Sequence, residues 1–266
     1  MPTCVLGSLT VYFEQAGAGE RLLFISGTGG DLRNRPGVFD GPLGGRFEVL
    51  AYDQRGLGRS SVPEGPYSMA EYADDAAALL EARGWDDCLV VGVSFGGMVA
   101  QELAIRHGDR VRRLVLVCTS SGGAGGASIP FDELATLQGE ARAVRQIEMM
   151  DTRWDARRRA ERPDEWKALL EGLGGHLRRE DPSEDAARGA ALQLGARAHH
   201  DTWDRLHAIA CPTLVCGGRF DGIAPPQNSE RLAQRIPGAE LALFDGGHLF
   251  LWQDPSAYPR IIAFLG

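Results

Sequence analysis

One stretch constrains the fold of this 266-residue chain more than any other. The segment VVGVSFGGMVAQ, residues 90–101, begins as a β-branched apolar run and ends in helix-forming residues. Between them lies Gly-x-Ser-x-Gly, in which Gly92 and Gly96 flank Ser94. A strand that meets a helix with almost no loop strains the residue at the tip, and glycines on both sides avoid clashes. The pattern predicts a strand, a tight turn that exposes Ser94, and a helix from about residue 96. A Gly-Ser turn without chemistry is the alternative.

The rest of the chain alternates short apolar runs with longer helical patterns. The nearly continuous apolar runs at 88–94 and 113–119 are typical of central parallel strands that are covered on both faces. Further strands are predicted at residues 10–15, 21–26, 47–53, 213–218 and 240–246. This alternation predicts an α/β fold with a mostly parallel central sheet flanked by helices.

Capping signals delimit two helices. Ser68 is followed three residues later by Glu71, as in a capping box, and Gly84 suits the C-terminal end of the same helix. A last helix is predicted within residues 256–265, where Pro259 falls near the first turn.

The alternation stops between residues 121 and 206, where no clear strand is found. Breaks between helical patterns are predicted at Pro163, Gly172–Gly175 and Pro182. An all-helical insertion between two strands suggests a lid over the carboxyl edge of the sheet. We therefore expect an α/β core of residues 1–120 and 207–266 and a helical lid, or cap, of residues 121–206. The alternative is a helical bulge without a role at the functional site.

Charge and hydropathy narrow the class of function. The formal net charge of −8 disfavours binding to a phosphate backbone, which requires clustered Lys and Arg. No convincing run of about 20 apolar residues is present, and the N-terminus lacks the features of a secretory signal. The five cysteines lie mostly in or beside apolar runs and lack zinc-ligand spacing. We therefore expect a cytoplasmic protein without a metal or cofactor that binds neither nucleic acid nor membrane.

A serine hydroxyl is a weak nucleophile at neutral pH and requires a base. Among the six histidines we choose His248, because it follows the last predicted strand, where a loop can reach back over the sheet edge. Asp221, in the loop after the preceding strand, is the candidate carboxylate that fixes the imidazole. Asp245 is three residues before His248, but it suits a role in shaping the turn. The other histidines, His107, His176, His199, His200 and His207, are expected to be exposed or packed.

The intermediate of acyl transfer needs hydrogen-bond donors for its oxyanion. The backbone N–H of Phe95, directly after the candidate nucleophile, is one candidate donor. The loop SGTGGD, residues 26–31, follows an early strand, and the backbone N–H of Thr28 is the second candidate. A phosphate-binding glycine loop is the alternative, but no Gly-Lys-Ser/Thr follows.

Taken together, these motifs resemble the α/β-hydrolase superfamily. The similarity is greatest to its lidded group of 3-oxoadipate enol-lactonases, related esterases, cofactor-free C–C bond hydrolases and serine haloperoxidases. The motifs are SGTGG (26–30), YDQRGLGRS (52–60), GVSFGG (92–97), GGRFDGIAPP (217–226) and DGGHLFLWQDP (245–255). The resemblance implies a turn braced by Asp53 and Arg55, and the order Ser94, Asp221, His248 matches the family. One departure is Ser26-Gly27, where the family often has His-Gly.

The residues and the resemblance together predict a serine hydrolase that cleaves a small or medium carboxylic ester or lactone through an acyl-enzyme. One alternative is a C–C bond hydrolase, or a lyase or cyclase, that uses the same three residues. Another is an inactive small-molecule receptor on the same fold. Five large side chains of the insertion are available to line a pocket, but the sequence does not assign them: Phe131, Met149, Met150, Trp154 and Trp203. The oligomeric state is not predicted.

Overall fold

The computed structural model describes residues 2–177 and 183–266, with the backbone alone at residues 132, 135 and 172–177. The described residues form one sheet of eight strands. The strands are β1 (Thr3–Leu6), β2 (Leu9–Ala16), β3 (Arg21–Ile25), β4 (Glu48–Tyr52), β5 (Cys88–Val93), β6 (Val111–Val117), β7 (Thr213–Gly218) and β8 (Glu240–Phe244). Their order is β1-β2-β4-β3-β5-β6-β7-β8. Pairs β1–β2 and β2–β4 are antiparallel and the others parallel, which confirms the predicted fold class.

Helices cover both faces of the sheet. They are α1 (Met69–Ala82), α2 (Phe95–Arg106), α3 (Asp132–Thr136), α4 (Gly139–Met150), α5 (Ala156–Glu161), α6 (Pro163–Leu177), α7 (Glu184–Ala198), α8 (Pro226–Arg235), α9 (Phe250–Gln253) and α10 (Ala257–Leu265). Helices α1, α2 and α8 contribute to the apolar core on one face. Helices α9 and α10 contribute to the core on the other face. Burial of apolar side chains on both faces explains why the central strands are nearly all apolar.

The seven predicted strands are all present, and β1 is an additional one. Residues of β1 alternate between exposed and half-buried positions at the sheet edge, so the sequence there carries no buried apolar run. The predicted capping box is also present, because the Ser68 hydroxyl oxygen accepts from the Glu71 N–H and the Glu71 carboxylate accepts from the Ser68 N–H. Gly84 follows α1 with a positive φ of 66°, as expected of a glycine after a helix end.

Among the described residues between β6 and β7, the regular elements are helices joined by loops, apart from one isolated bridge between Gly122 and Asp201. The predicted break at Pro163 is confirmed, because α5 ends at Glu161 and α6 begins at Pro163. The break predicted at Gly172–Gly175 is wrong, because α6 continues to Leu177. A glycine inside a helix costs only about 1 kcal/mol relative to alanine, which does not by itself end a helix. The break predicted at Pro182 lies outside the described residues.

Within residues 2–177 and 183–266, no helix is both long enough and apolar enough to cross a membrane.

Candidate active site

The turn between β5 and α2 holds Ser94 in a strained backbone conformation, with φ 54° and ψ −113°. The glycines around it are sterically required. A Cβ at Gly92 would overlap the carbonyl oxygen of Gly96, and a Cβ at Gly96 would overlap the carbonyl oxygen of Ile25. The Ser94 N–H also donates to the carbonyl of Val117, at 2.8 Å. These contacts fix the turn and place the Ser94 side chain at the carboxyl edge of the sheet.

The structure brings together the three side chains that were selected from the sequence. The Ser94 hydroxyl lies 3.1 Å from Nε2 of His248, and Nδ1 of His248 lies 2.8 Å from Oδ2 of Asp221. The other carboxylate oxygen of Asp221 accepts from the backbone N–H groups of Ile223 and Ala224, at 2.8 and 2.9 Å. With both oxygens engaged, the carboxylate holds the imidazole in the tautomer that has its proton on Nδ1. Nε2 is then free to accept the serine proton.

The loop that carries His248 is held by the inserted helical segment. The His248 N–H donates to the carbonyl of Met150, the last residue of α4, at 2.6 Å. The neighbouring N–H of Gly247 donates to Oε1 of Gln253 at 2.7 Å, and Nε2 of Gln253 donates to Asp151 at 3.1 Å. The backbone position of His248 therefore depends on residues from a different part of the chain.

The pKa of His248 results from opposing effects. Burial lowers the pKa, while Cys118 and the hydrogen-bonded Asp221 raise it by more, so the pKa lies above that of an ordinary histidine. Asp221 thus favours the imidazolium, the form that arises when the ring takes a proton.

Cys118, one of the cysteines beside an apolar run, lies close to the side chains of Asp221 and His248. It directly follows β6 with a positive φ of 42°. Its sulfur, a carboxylate oxygen of Asp221 and a ring nitrogen of His248 all lie within 4.8 Å of one another. These are potential metal ligands by type, but the His248 and Asp221 atoms already bond each other. We therefore interpret the cluster as part of the hydrogen-bonded chain.

The structure separates the other candidate acids and bases from this site. Asp245 is exposed and pairs with Arg153 at 3.2 Å. His107 ends α2 and contacts Asp74 at 2.7 Å. His200 is buried, and its Nε2 lies 3.2 Å from the carbonyl of Ser120. The side chain at position 176 lies outside the described residues.

Both predicted oxyanion donors lie next to Ser94. Phe95 is the first residue of α2, and Thr28 lies in a turn closed by a 3.1 Å hydrogen bond from the Gly30 N–H to the Gly27 carbonyl. A Cβ at Gly27 would lie 3.5 Å from the Cβ of Ser94, so the turn borders Ser94. Among the described residues, no hydrogen-bond acceptor is found for the backbone N–H groups of Thr28 and Phe95.

The Asp53 turn supports the same loop. The two carboxylate oxygens of Asp53 accept from the backbone N–H groups of Leu32 and Arg59, at 2.7 and 2.8 Å. Arg55 instead forms ion pairs with Asp75 and Glu71 of α1. Asp53 therefore anchors the chain just after the Thr28 turn, while Arg55 anchors α1.

Two cavities border the neighbourhood of Ser94, although neither lining includes Ser94 itself. The first has a volume of about 260 Å³, and its wall includes Met98, Ser120, Pro130, Phe131, Arg197 and His200. The second has a volume of about 490 Å³, and its wall includes Ser26, Gly27, Leu32, Val93, Leu251 and Trp252. Met98 lies one helical turn after Ser94 and Val93 directly precedes it, so each cavity reaches a neighbour of Ser94.

Of the five large side chains that the sequence left unassigned, four pack against other side chains and one lines a cavity. Phe131 lines the first cavity. Met149 and Met150 cluster with Ile223, and Trp154 lies 5.7 Å from the ring of Trp166. Trp203 is partly buried and packs against the core on the face that α1, α2 and α8 cover.

Comparison with known proteins identifies the same fold that the structure shows. The model of the alpha/beta hydrolase fold family matches residues 20–255. The chain belongs to the α/β-hydrolase family. As an α/β-hydrolase it is an enzyme, and its relatives include proteins named as hydrolases of different substrates.

Three similar proteins illustrate this range. A putative carbamate hydrolase RutD of Azorhizobium caulinodans is 29% identical over 269 residues, which cover 98% of this chain and 97% of that protein. A 2-hydroxymuconate semialdehyde hydrolase of Pseudomonas putida is 30% identical, over 92% of this chain and 86% of that protein. The solved structure of Est816, described as an N-acyl homoserine lactone degrading enzyme, is 27% identical with a TM-score of 0.76. That match covers 98% of this α/β-hydrolase and 99% of Est816.

Proposed function

We propose that this α/β-hydrolase is a serine hydrolase that cleaves a small or medium carboxylic ester or a lactone, including an enol-lactone, through an acyl-enzyme. The observation that carries the proposal is the continuous chain of hydrogen bonds from Ser94 through His248 to Asp221. The backbone N–H groups of Thr28 and Phe95, beside Ser94, support it as oxyanion donors. The relative described as a lactone-degrading enzyme supports the choice of bond.

In the proposed first half-reaction, Nε2 of His248 takes the hydroxyl proton as Oγ of Ser94 attacks the carbonyl carbon. The carbonyl oxygen becomes an oxyanion, which accepts from the N–H groups of Thr28 and Phe95. Asp221 stabilises the imidazolium that forms. The intermediate then collapses, the C–O bond to the alcohol breaks, and His248 returns its proton to the leaving oxygen. In a lactone this oxygen stays tethered to the acyl group.

In the second half-reaction, His248 removes a proton from water, which attacks the acyl-enzyme. The same N–H groups hold the second oxyanion, and its collapse releases the carboxylic acid and restores the Ser94 hydroxyl with the proton from His248. These steps require no metal or cofactor.

We also propose that residues 121–206 act as a lid over a core of residues 1–120 and 207–266. Support comes from Phe131 and Arg197, which come from this segment and form part of the wall of the 260 Å³ cavity. We place the enzyme in the cytoplasm because its five cysteines are free thiols, as is usual in a reducing compartment.

Site-directed variants test the proposal. Ser94→Ala and His248→Ala should each lower kcat by about 10⁴- to 10⁶-fold, with the double variant little worse, because the groups act as a unit. Thr28→Val should have a mild effect, since the backbone donor survives. Full activity of Ser94→Ala would rule out the mechanism.

A second candidate function is hydrolysis of a C–C bond, which the relative named 2-hydroxymuconate semialdehyde hydrolase favours. Stopped-flow assays with p-nitrophenyl esters distinguish the two. A burst of one p-nitrophenol per enzyme, with slower turnover, supports ester cleavage through an acyl-enzyme. Inertness to every ester and lactone, with turnover of a vinylogous diketone, supports the second candidate.

A further inference from the structure

A glutamine from the inserted segment holds the oxyanion loop. Gln193 lies on α7, 164 positions along the chain from Gly29, and its Oε1 accepts from the Gly29 N–H at 2.9 Å. The side chain of Gln193 is buried, with the residue only 1% exposed. No motif or spacing in the sequence indicates a role for this residue.

The hydrogen bond from Gly29 to Gln193 lies in the middle of a tight turn. The turn Gly27–Gly30 is closed by the Gly30 N–H, and Gly29 has a positive φ of 68°, as at the third position of a type II turn. The amides of the two central residues, Thr28 and Gly29, take no part in closing such a turn. Gln193 binds the Gly29 amide and so fixes the peptide that follows Thr28. The Thr28 amide remains available for an oxyanion.

Packing alone does not account for a glutamine at this position. Nε2 of Gln193 is buried without a hydrogen-bond partner among the described residues, and so is the hydroxyl of Thr28 beside the same turn. A buried glutamine whose side-chain NH₂ group has no hydrogen-bond partner makes the folded protein less stable than an apolar side chain of the same size would. The bond from Gly29 is therefore the interaction that explains this side chain.

The helix that carries Gln193 is firmly seated on the core. Arg188, on the same helix, donates to the carbonyls of Val62 and Pro63 at 2.9 and 3.0 Å. The backbone of Gly189 lies against that of Gly56, and a Cβ added at Gly189 would overlap the carbonyl oxygen of Gly56. A rigidly mounted helix is a suitable base for a side chain that positions a loop.

We propose that Gln193 is a positioning residue: its bond to the Gly29 N–H orients the Thr28 N–H toward the substrate oxyanion. Helix α7 would then hold the turn that forms one side of the oxyanion hole. This inference rests on the proposed acyl transfer, because it has meaning only where an oxyanion develops in the transition state. It predicts an effect on transition-state stabilisation without an effect on substrate binding.

The test compares Gln193→Met, which keeps the length of the side chain and removes the acceptor, with Arg188→Met as the matched control. Arg188→Met removes two other hydrogen bonds between α7 and the core. With a p-nitrophenyl ester, Gln193→Met should lower kcat and kcat/KM equally, by about 10- to 100-fold, a smaller loss than removal of a whole donor. The affinity for a trifluoromethyl ketone, which adds to the serine as a tetrahedral oxyanion, should fall by the same factor. Stability in urea should be unchanged or higher.

Arg188→Met should keep kcat within about twofold of the wild type, because the contact of Gly189 with Gly56 still holds α7 on the core and the turn is left intact. The inference is overturned if Gln193→Met retains wild-type kcat, or if both variants lose activity equally. If Ser94→Ala is fully active, the proposed function itself fails. An inactive Ser94→Ala beside a fully active Gln193→Met refutes the role of Gln193 alone.

Amide hydrogen exchange in the wild-type enzyme keeps the inference testable if Gln193→Met does not fold. The Gly29 amide should exchange at least about tenfold more slowly than the Thr28 amide, because only the former has an acceptor. The trifluoromethyl ketone should then protect Thr28 and Phe95. Rapid exchange at Gly29 in the free enzyme would contradict the proposed contact.

Discussion

Ser94 has a positive φ that a residue with a side chain adopts only when its surroundings impose it. Its N–H is held by Val117, and its carbonyl accepts from the Thr119 hydroxyl at 2.8 Å. The strain is thus opposed by bonds from the adjacent strand and by the glycines that make room for the turn. The position of the half-buried Ser94 hydroxyl beside His248 is the consequence.

Gly96→Ala should therefore destabilise the protein. Its Cβ would overlap the carbonyl oxygens of Ile25 and Ser26, which belong to the backbone and cannot move aside. We expect a loss of about 3 kcal/mol or more in the free energy of unfolding, measured in urea. Gly108→Ala is the matched control, because nothing lies within 4 Å of its added Cβ. A Gly96→Ala protein as stable as the control would contradict this account of the turn.

Asp221→Asn should lower kcat by about 10⁴-fold, because the amide no longer holds the productive tautomer of His248. The pH profile should also shift. In the wild type, kcat/KM falls as the pH drops through the pKa of His248, which Asp221 helps to raise. Without the carboxylate that pKa is lower, so the acidic limb should move to lower pH. The exposed Asp245→Asn is the control and should match the wild type, and equal losses in the two variants would disprove the assignment of Asp221.

His200 should make the protein less stable in mild acid. Burial lowers its pKa to about 4 from an ordinary value near 6.5, so the unfolded chain binds a proton that the folded protein excludes. Stability is lost as the pH falls from 6.5 towards 4, by about 2 kcal/mol at pH 5. The test measures the free energy of unfolding at pH 7.5 and at pH 5 in the wild type and in His200→Gln. The variant should lose less stability between the two pH values. An equal drop in both proteins would show that another group is responsible.

At the scale of elements, the site depends on how the end of α4 packs against two loops. The carbonyl of Met150 accepts from His248, and the Thr152 N–H donates to the carbonyl of Phe220, next to Asp221, at 2.9 Å. Between these contacts lies the bond from Gln253 to Asp151. The inserted segment thus contacts both the acid loop and the histidine loop.

A double-mutant cycle tests this packing. Asp151→Ala and Gln253→Ala should each destabilise the protein, with a coupling energy of about 1 kcal/mol, because their side chains bond each other and Gln253 also binds Gly247. The free energies of unfolding of the wild type, both single variants and the double variant are measured in urea. Strict additivity would show that the two residues act independently.

The sequence predicts the parts of the fold and site that local patterns encode. The parallel strands were visible as apolar runs, and Ser94, Asp221 and His248 each follow one, so topology placed them at one edge. The edge strand β1 was missed because it has no buried apolar run. Gln193 and the Met150 carbonyl were missed for a different reason. Their contacts join helices of the insertion to distant loops, and no periodicity or spacing records such a contact.

At the scale of the whole molecule, the insertion and the core form the site jointly. Gln193 binds the loop of Thr28, and the end of α4 binds the loops of Asp221 and His248. Phe131 and Arg197 form part of the wall of the 260 Å³ cavity. In the proposed mechanism the core supplies the reacting groups and the insertion holds them in place.

The most direct test of the central claim is covalent trapping of the nucleophile. The enzyme is treated with a fluorophosphonate, and intact mass and peptide mapping locate the adduct. We predict one adduct per chain on Ser94, loss of ester turnover in proportion to labelling, and no labelling in Ser94→Ala or His248→Ala. An unlabelled Ser94 in an enzyme that still hydrolyses its substrate, or an adduct elsewhere that accounts for the inhibition, would contradict the account.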